Sequence, residues 1–389
     1  MDWIATAQAE LQRQNLSGWL IYDFRGLNPF AGRFVQLGGA LLTRRWFCFV
    51  PAHGRPVLLV HAIERGSLPE VPFEVRSYDS RQSLAAELRR MLPQAEVALE
   101  TSPMNDIPYV SYVDAGTIEF LRSLGVRPVS SANLLQAFSA WTPRQLEQHL
   151  EAVKHVEQAR ELAFAFLQER SGKLEVRETE VQKVIRDTLD AAGLVYDHAA
   201  IVGFGPHAGD PHYAPRAGSD RALQPGDAVL VDLWAKLPDE GAPYADITWM
   251  GVAGEPSEEL QEVFEIVRDA RDLAVETMRR ALGEKRVPQG REIDRAVRDF
   301  ITARGYGAAF SHRTGHSLGT RYTHGDAAHL DDFETCDTRE LIPGVALTVE
   351  PGIYLPHLGV RSEIDLIVEE AGPRVTTERQ QHLVVIGGR

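Results

Sequence analysis

Four segments of this chain set an acidic side chain inside, or at the end of, an apolar run. Asp232 interrupts AVLVDLW at 228–234, Asp246 leads ADITW at 245–249, and Glu350 closes the apolar stretch of LTVEPG at 347–352. In GVRSEIDLIV at 359–368, Glu363 and Asp365 stand two residues apart and so share one face of a strand. A carboxylate in a buried strand is costly unless a cation compensates it. A fold that buries these segments together therefore needs counter-charge. Arg361 supplies one positive charge, and divalent ions supply the rest.

HRTGH at 312–316 adds an imidazole, His316, beside a glycine that lets the backbone approach closely. Carboxylate oxygens with one imidazole suit Mn²⁺, Co²⁺ or Zn²⁺. Two such ions a few ångströms apart share a bridging carboxylate, hold a bridging hydroxide and polarise a carbonyl oxygen. Such ions have catalytic rather than structural work here, because 389 residues bury a large core without a metal staple. The only cysteines are Cys48 and Cys336, with no CxxC or Cys/His spacing. That excludes a zinc ribbon or a disulfide scaffold and points to a reducing cytoplasm. The net charge of −14 argues against nucleic acid or an anionic membrane as the main partner. No apolar run is long enough for a membrane span, and the first residues, MDWIATAQAELQRQ, read as an amphipathic helix rather than a signal peptide.

The pattern predicts an α/β (α+β) protein of two domains, 1–138 and 139–389. In the first, strands are expected at 18–24, 45–51, 56–61 and 96–100, and helices near 2–15, 81–92 and 115–124. In the second, a long helix begins at Thr142 with Pro143 in its first turn. Further helices are expected near 177–192, 257–282 and 291–303. Strands are expected near 228–234, 248–253, 345–349, 364–368 and 383–386, forming a mostly antiparallel sheet.

Taken in order, VLVDLW, ADIT, HRTGHSLG, TVEPGIY and GVRSEIDLIV resemble the metallopeptidase family of prolidase, aminopeptidase P and methionine aminopeptidase, with its pita-bread fold, over roughly 143–389. The preceding region resembles the amino-terminal domain of prolidases and creatinases, and the whole chain is most similar to short bacterial Xaa-Pro dipeptidases. The resemblance implies two divalent ions per subunit, Mn²⁺ first with Co²⁺ or Zn²⁺ as alternatives. Asp232 would bind one ion, Asp246 and Glu363 would bridge, and His316 and Glu350 would complete the other site. It also makes Glu350 the proton shuttle from the bridging hydroxide's water to the leaving nitrogen. His212, in DPHYAP, would touch substrate, His324, in YTHGD, would stabilise the tetrahedral intermediate, and Arg361 would orient the bridging glutamate. The implied activity is hydrolysis of Xaa-Pro dipeptides by a cytoplasmic homodimer. The rivals are an aminopeptidase P acting on longer peptides and a non-catalytic peptide-binding module. Two departures stand out: the interval from Asp232 to Asp246 is longer than is usual in the family, with KLPDEGAPY read as an extended hairpin loop, and Trp249 follows ADIT where many relatives have arginine.

GHSLG at 315–319 fits the G-x-S-x-G nucleophile elbow, but its flanks read as neither strand nor helix, so Ser317 is not expected to be a nucleophile. His312, four residues before His316, is open between substrate contact and support. His207, His329 and His357 are expected on the surface or in loops.

Overall fold

The computed structural model describes residues 2–40, 42–172 and 175–387. It divides into two compact units, Met1–Phe138 and Ser139–Arg389.

The first unit is a six-stranded sheet in the order β4-β3-β2-β1-β5-β6. Its strands are β1 (Gly18–Asp23), β2 (Trp46–Pro51), β3 (Val57–His61), β4 (Glu74–Tyr78), β5 (Glu96–Leu99) and β6 (Arg127–Ser130). Only β2 runs antiparallel to its neighbours. Both faces are covered, which is why the central strands read as unbroken apolar runs. Trp19, Ile21, Cys48, Leu58 and Val60 pack on one side with α1 (Trp3–Arg13), α2 (Pro29–Phe34) and α5 (Ala132–Gln136). Leu20, Phe47, Phe49, Leu59 and Val97 pack on the other with α3 (Arg81–Met91) and α4 (Ala115–Ser123). The strands and helices expected from the pattern are all present. The edge strands β4 and β6 are additions, and β6 carries Pro128, which only an edge or a strand start tolerates.

Glu100, just past β5, is fully buried and accepts hydrogen bonds from Trp19 Nε1, Asn28 Nδ2 and Ser131 Oγ. Burial pushes its carboxyl up to about 7, against the pull of those three donors. The folded unit therefore binds a proton more tightly than the unfolded chain. The contribution of Glu100 to stability is full below the unfolded value near 4.5 and is lost as pH rises toward 7, by roughly 3 kcal/mol at about 1.36 kcal/mol per pKa unit. Hydrogen exchange of β1 and β5 amides, corrected for intrinsic rates, should show this loss between pH 5 and 8. A Glu100→Gln variant should flatten it, and an unchanged slope in that variant rules the assignment out.

The second unit opens with α6 (Pro143–Arg170), capped by Thr142 through a reciprocal capping box with Gln145. Then come α7 (Glu178–Ala191), β7 (Ile201–Phe204), β8 (Ala228–Ala235), β9 (Ala245–Ala253), α8 (Glu258–Gly283) and α9 (Gly290–Thr302). The remaining strands are β10 (Ala346–Val349), β11 (Gly352–Leu355), β12 (Leu358–Arg361), β13 (Ile364–Glu369), β14 (Gly372–Val375) and β15 (Val384–Ile386). In place of one sheet there are three among the described residues: β15-β9-β8-β7, β10-β13-β14 and the hairpin β11-β12. All pairings are antiparallel except β15 with β9. Val229, Val231 and Leu233 of β8 face α6 and α7, while Ala228 and Leu230 face α8 and α9. No helix among the described residues is long and apolar enough to cross a membrane.

Candidate metal centre

The pleat of β8 and β9 carries the alternation from core to site. Asp232 and Trp234 continue the face that Ala228 and Leu230 begin. In the ladder Asp232 opposes Thr248 and Trp234 opposes Asp246, so the two aspartates lie diagonally across one face. Trp249 points the other way, into the α6–α7 core, with the Arg160 guanidinium 3.9 Å from its ring centre. The departure at Trp249 therefore falls on the face opposite Asp232 and Asp246. The extended loop 236–244 joins β8 to β9, as the hairpin reading expects. It is tied to the segment after His316, through Lys236 Nζ to Thr320 O at 2.6 Å and Tyr244 N to Gly319 O at 3.0 Å.

A second wall faces this one. Residues 314–318 run beside β10, with Thr348 N to His316 O at 2.8 Å and Glu350 N to Thr314 O at 2.8 Å. The approach requires Gly315, where a Cβ would sit 2.2 Å from Thr348 O. It sets His316 and Glu350 side by side. Glu363 lies just before β13, with its amide donating to Thr248 O at 3.2 Å. The Thr248 hydroxyl donates to Glu363 Oε2 at 2.7 Å.

His316 Nδ1 is 3.0 Å from Ser317 O, a pure acceptor, so that nitrogen carries the hydrogen. The Nε2 lone pair is left facing Asp246 Oδ2 and Glu350 Oε1, each 3.6 Å away. Burial holds the ring well below its ordinary pKa, with His324 and Arg313 adding to the effect. A neutral imidazole aimed at two carboxylates is repulsive unless something positive lies between them. Asp246 Oδ1 is buried with no hydrogen-bond partner. Ligand atoms of Asp246, His316 and Glu363 lie within 4.8 Å of one another. Burial, then the neighbouring acids, raises Asp246 and Glu363 well above the carboxylate range, and burial lifts Glu350 to about 7. An orphaned oxygen, a correctly oriented imidazole and four desolvated carboxylates fit divalent cations. Asp365 stands behind the site, with Oδ2 accepting from the Asp246 amide at 2.9 Å.

Arg361 enters the cluster between Asp232 and Glu363. Its guanidinium pairs directly with Asp232 and donates from Nε to Thr248 Oγ1 at 3.0 Å. The same Thr248 hydroxyl links it to Glu363, whose charge it also faces. Tyr354 links it to His312, with the hydroxyl 2.8 Å from His312 Nε2 and 3.3 Å from Arg361 Nη1. His312 is not among the residues that line the cavity holding Asp232 and Asp246. His329 lies in a loop, as expected, but a buried one: it is 2% exposed and its Nδ1 accepts the Ser317 amide at 3.0 Å. Ser317 is buried and its hydroxyl donates to Ala327 O at 3.2 Å.

The eight residues Asp232, Asp246, His316, Glu350, Glu363, His212, His324 and Arg361 all border one cavity of about 340 Å³. The His212 loop is anchored by buried Glu178, which accepts from Phe204 N, His207 Nδ1, Tyr213 Oη and Arg221 N. Arg313 donates to His324 Nδ1 at 3.1 Å, leaving Nε2–H as the free donor. The cavity also has residues that the sequence pattern did not flag. Asp197 accepts from Trp234 Nε1 at 2.6 Å and from the Thr323 hydroxyl at 3.1 Å, bracing the segment that carries His324. Nothing in VYDHAA marks it; only the fold brings it to Trp234.

The sequence family described as metallopeptidase family M24 matches residues 147–370. Among curated proteins, the chain is 35% identical over 173 residues to the uncharacterized peptidase YqhT of Bacillus subtilis, covering 43% of this chain and 44% of that one. The match thus spans under half the length of that relative. Among solved structures, the dipeptidase PepE of Mycobacterium ulcerans is 25% identical, with a TM-score of 0.62, covering 99% of this chain and 97% of that one. An Xaa-Pro dipeptidase from Bacillus anthracis shares the fold at 24% identity and a TM-score of 0.58, covering 99% of each chain.

Proposed function

This chain belongs to metallopeptidase family M24, and from that premise we propose that it hydrolyses the Xaa-Pro bond of dipeptides with two divalent cations. Asp232, Asp246, His316, Glu350 and Glu363 hold the ions. The observation that carries the reading is the meeting of all five, with His212, His324 and Arg361, around one small cavity. Its volume of about 340 Å³ lies at the small end of ligand pockets, which suits a dipeptide.

Bound divalent cations supply the activated water and the polarisation of the scissile carbonyl. The protein's own groups do the rest. Glu350 takes the proton from the attacking water and delivers it to the proline nitrogen, which is a poor leaving group until protonated. His324 donates from Nε2 to the developing oxyanion. His212, on its Glu178-anchored loop, contacts the substrate. Arg361 fixes Asp232 directly and Glu363 through Thr248. Mn²⁺ is the ion of choice in this reading, and the protein acts in the cytoplasm as a homodimer.

The test is hydrolysis of Ala-Pro and Ala-Pro-Ala by chelated protein after separate addition of Mn²⁺, Co²⁺ or Zn²⁺. The reading expects no activity after chelation, restoration by at least one ion, and faster cleavage of Ala-Pro. Preferential cleavage of Ala-Pro-Ala reassigns the enzyme to aminopeptidase P. Failure to cleave either peptide with any ion refutes the proposal.

A further inference from the structure

A second cavity, of about 690 Å³, lies wholly within the first unit. Tyr22 and Phe24 come from the end of β1, His61 from the end of β3, and Tyr78 from the end of β4. Arg44 and Arg45 precede β2, and Ser80, Arg81, Gly116 and Thr117 belong to the starts of α3 and α4. Because β1, β3 and β4 run in one direction and β2 against them, all these groups meet at the carboxyl edge of the sheet. Open α/β sheets bind their ligands beyond that edge.

The charges there are unevenly satisfied. Arg44 is paired with Glu64 at 3.3 Å. Asp114 is occupied by the Thr117 amide and hydroxyl, at 2.8 and 2.7 Å, and Asp79 by the Ser83 hydroxyl at 2.7 Å. Among the described residues, the side chains of Arg45 and Arg81 have neither a hydrogen bond nor an ion-pair partner. Arg45 is half-buried, so its unpaired guanidinium is not simply a solvated surface charge. Arg81 is exposed, so the half-buried Arg45 is the guanidinium whose lack of a partner is notable in a chain whose net charge is −14. The guanidinium fork matches carboxylate and phosphate oxygens. Tyr22, Tyr78 and Phe24 offer aromatic surface beside the charges, and the His61 and Tyr78 rings meet edge to face at 5.0 Å.

We propose that this cavity is a binding site for a small organic anion, held through a carboxylate or phosphate group by Arg45 and Arg81, with the aromatic side chains packing on the remainder. The site is separate from the cation cluster and does not rest on the peptidase reading.

Calorimetric titration of metal-free, full-length protein with inorganic phosphate, benzoate and benzamide tests it. Removing the metal prevents the anions from binding through a cation. Saturable binding of one phosphate or one benzoate per chain is expected, weakened by added salt, with benzamide bound at least about 10-fold more weakly than benzoate. An Arg45→Gln/Arg81→Gln variant should lose at least about 10-fold in affinity, while Arg122→Gln, on the exposed face of α4, should not. Matching thermal melts of the unliganded proteins show that the double variant is folded. Binding of phosphate alone marks a phosphate-bearing ligand, and binding of benzoate alone a carboxylate. Absence of saturable anion binding, equal binding of benzamide, or undiminished binding by the folded double variant overturns the proposal.

Discussion

Asp246→Asn is expected to make the metal-free protein more stable and, by the same change, to abolish its stabilisation by cations. In the metal-free state Asp246 is a 4%-exposed acid with one orphaned oxygen and other acids around it. Replacing a poorly compensated buried charge by a neutral isostere gains roughly 2–4 kcal/mol. The new amide can donate to His316 Nε2, whose lone pair faces that side chain. At about 2–4 °C per kcal/mol for a unit of this size, the melting temperature should rise by roughly 4–16 °C. Asp232, Asp246, Glu350 and Glu363 all have raised pKa values, so the folded metal-free protein holds extra protons. The contribution of these four groups to stability is therefore full below about pH 4 and is lost as pH rises through their folded values, Glu350's being about 7. Cations compete with those protons, so the stabilisation they give should grow over the same range. Scanning calorimetry with and without Mn²⁺ measures both effects. A metal-free variant less stable than wild type contradicts the electrostatic account of the cluster.

Glu350→Gln is expected to lower kcat for Ala-Pro by about 10²–10⁴-fold, the range for loss of a positioned proton-transfer group. Glutamine keeps the Thr348 contact and one ligand oxygen but cannot carry the proton. KM should change far less than kcat. Steady-state kinetics at saturating cation separates this from simple metal loss, which more cation would reverse. A variant with wild-type kcat refutes the shuttle role.

How much of this was legible in the sequence follows from how each signal arises. Apolar strands with an embedded acid, such as β8 around Asp232, announce themselves because burial and charge conflict locally. Long helices such as α6, with its Thr142 cap, also read directly. Strands β7, β11, β12 and β14 did not: each has four residues with a glycine among them, whereas the comparably short β5, β10 and β15 carry none and read directly. His329 reads as a surface or loop residue; it is in a loop, but its burial beside Ser317 is a contact that no local pattern encodes. The link from Arg361 to Asp232 likewise joins residues 129 positions apart. The acids were visible one at a time, whereas their common face depends on the register of β8 with β9 and on Gly315 admitting the His316 segment to β10.

The most direct test is to count bound cations. Chelated protein dialysed against Mn²⁺ at pH 7.5 and analysed for metal should hold two ions per chain, and the Asp246→Asn/Glu363→Gln double variant should hold none. Wild-type protein that binds no Mn²⁺, Co²⁺ or Zn²⁺, or a double variant that binds as well as wild type, contradicts the claim that divalent cations hold these buried acids together.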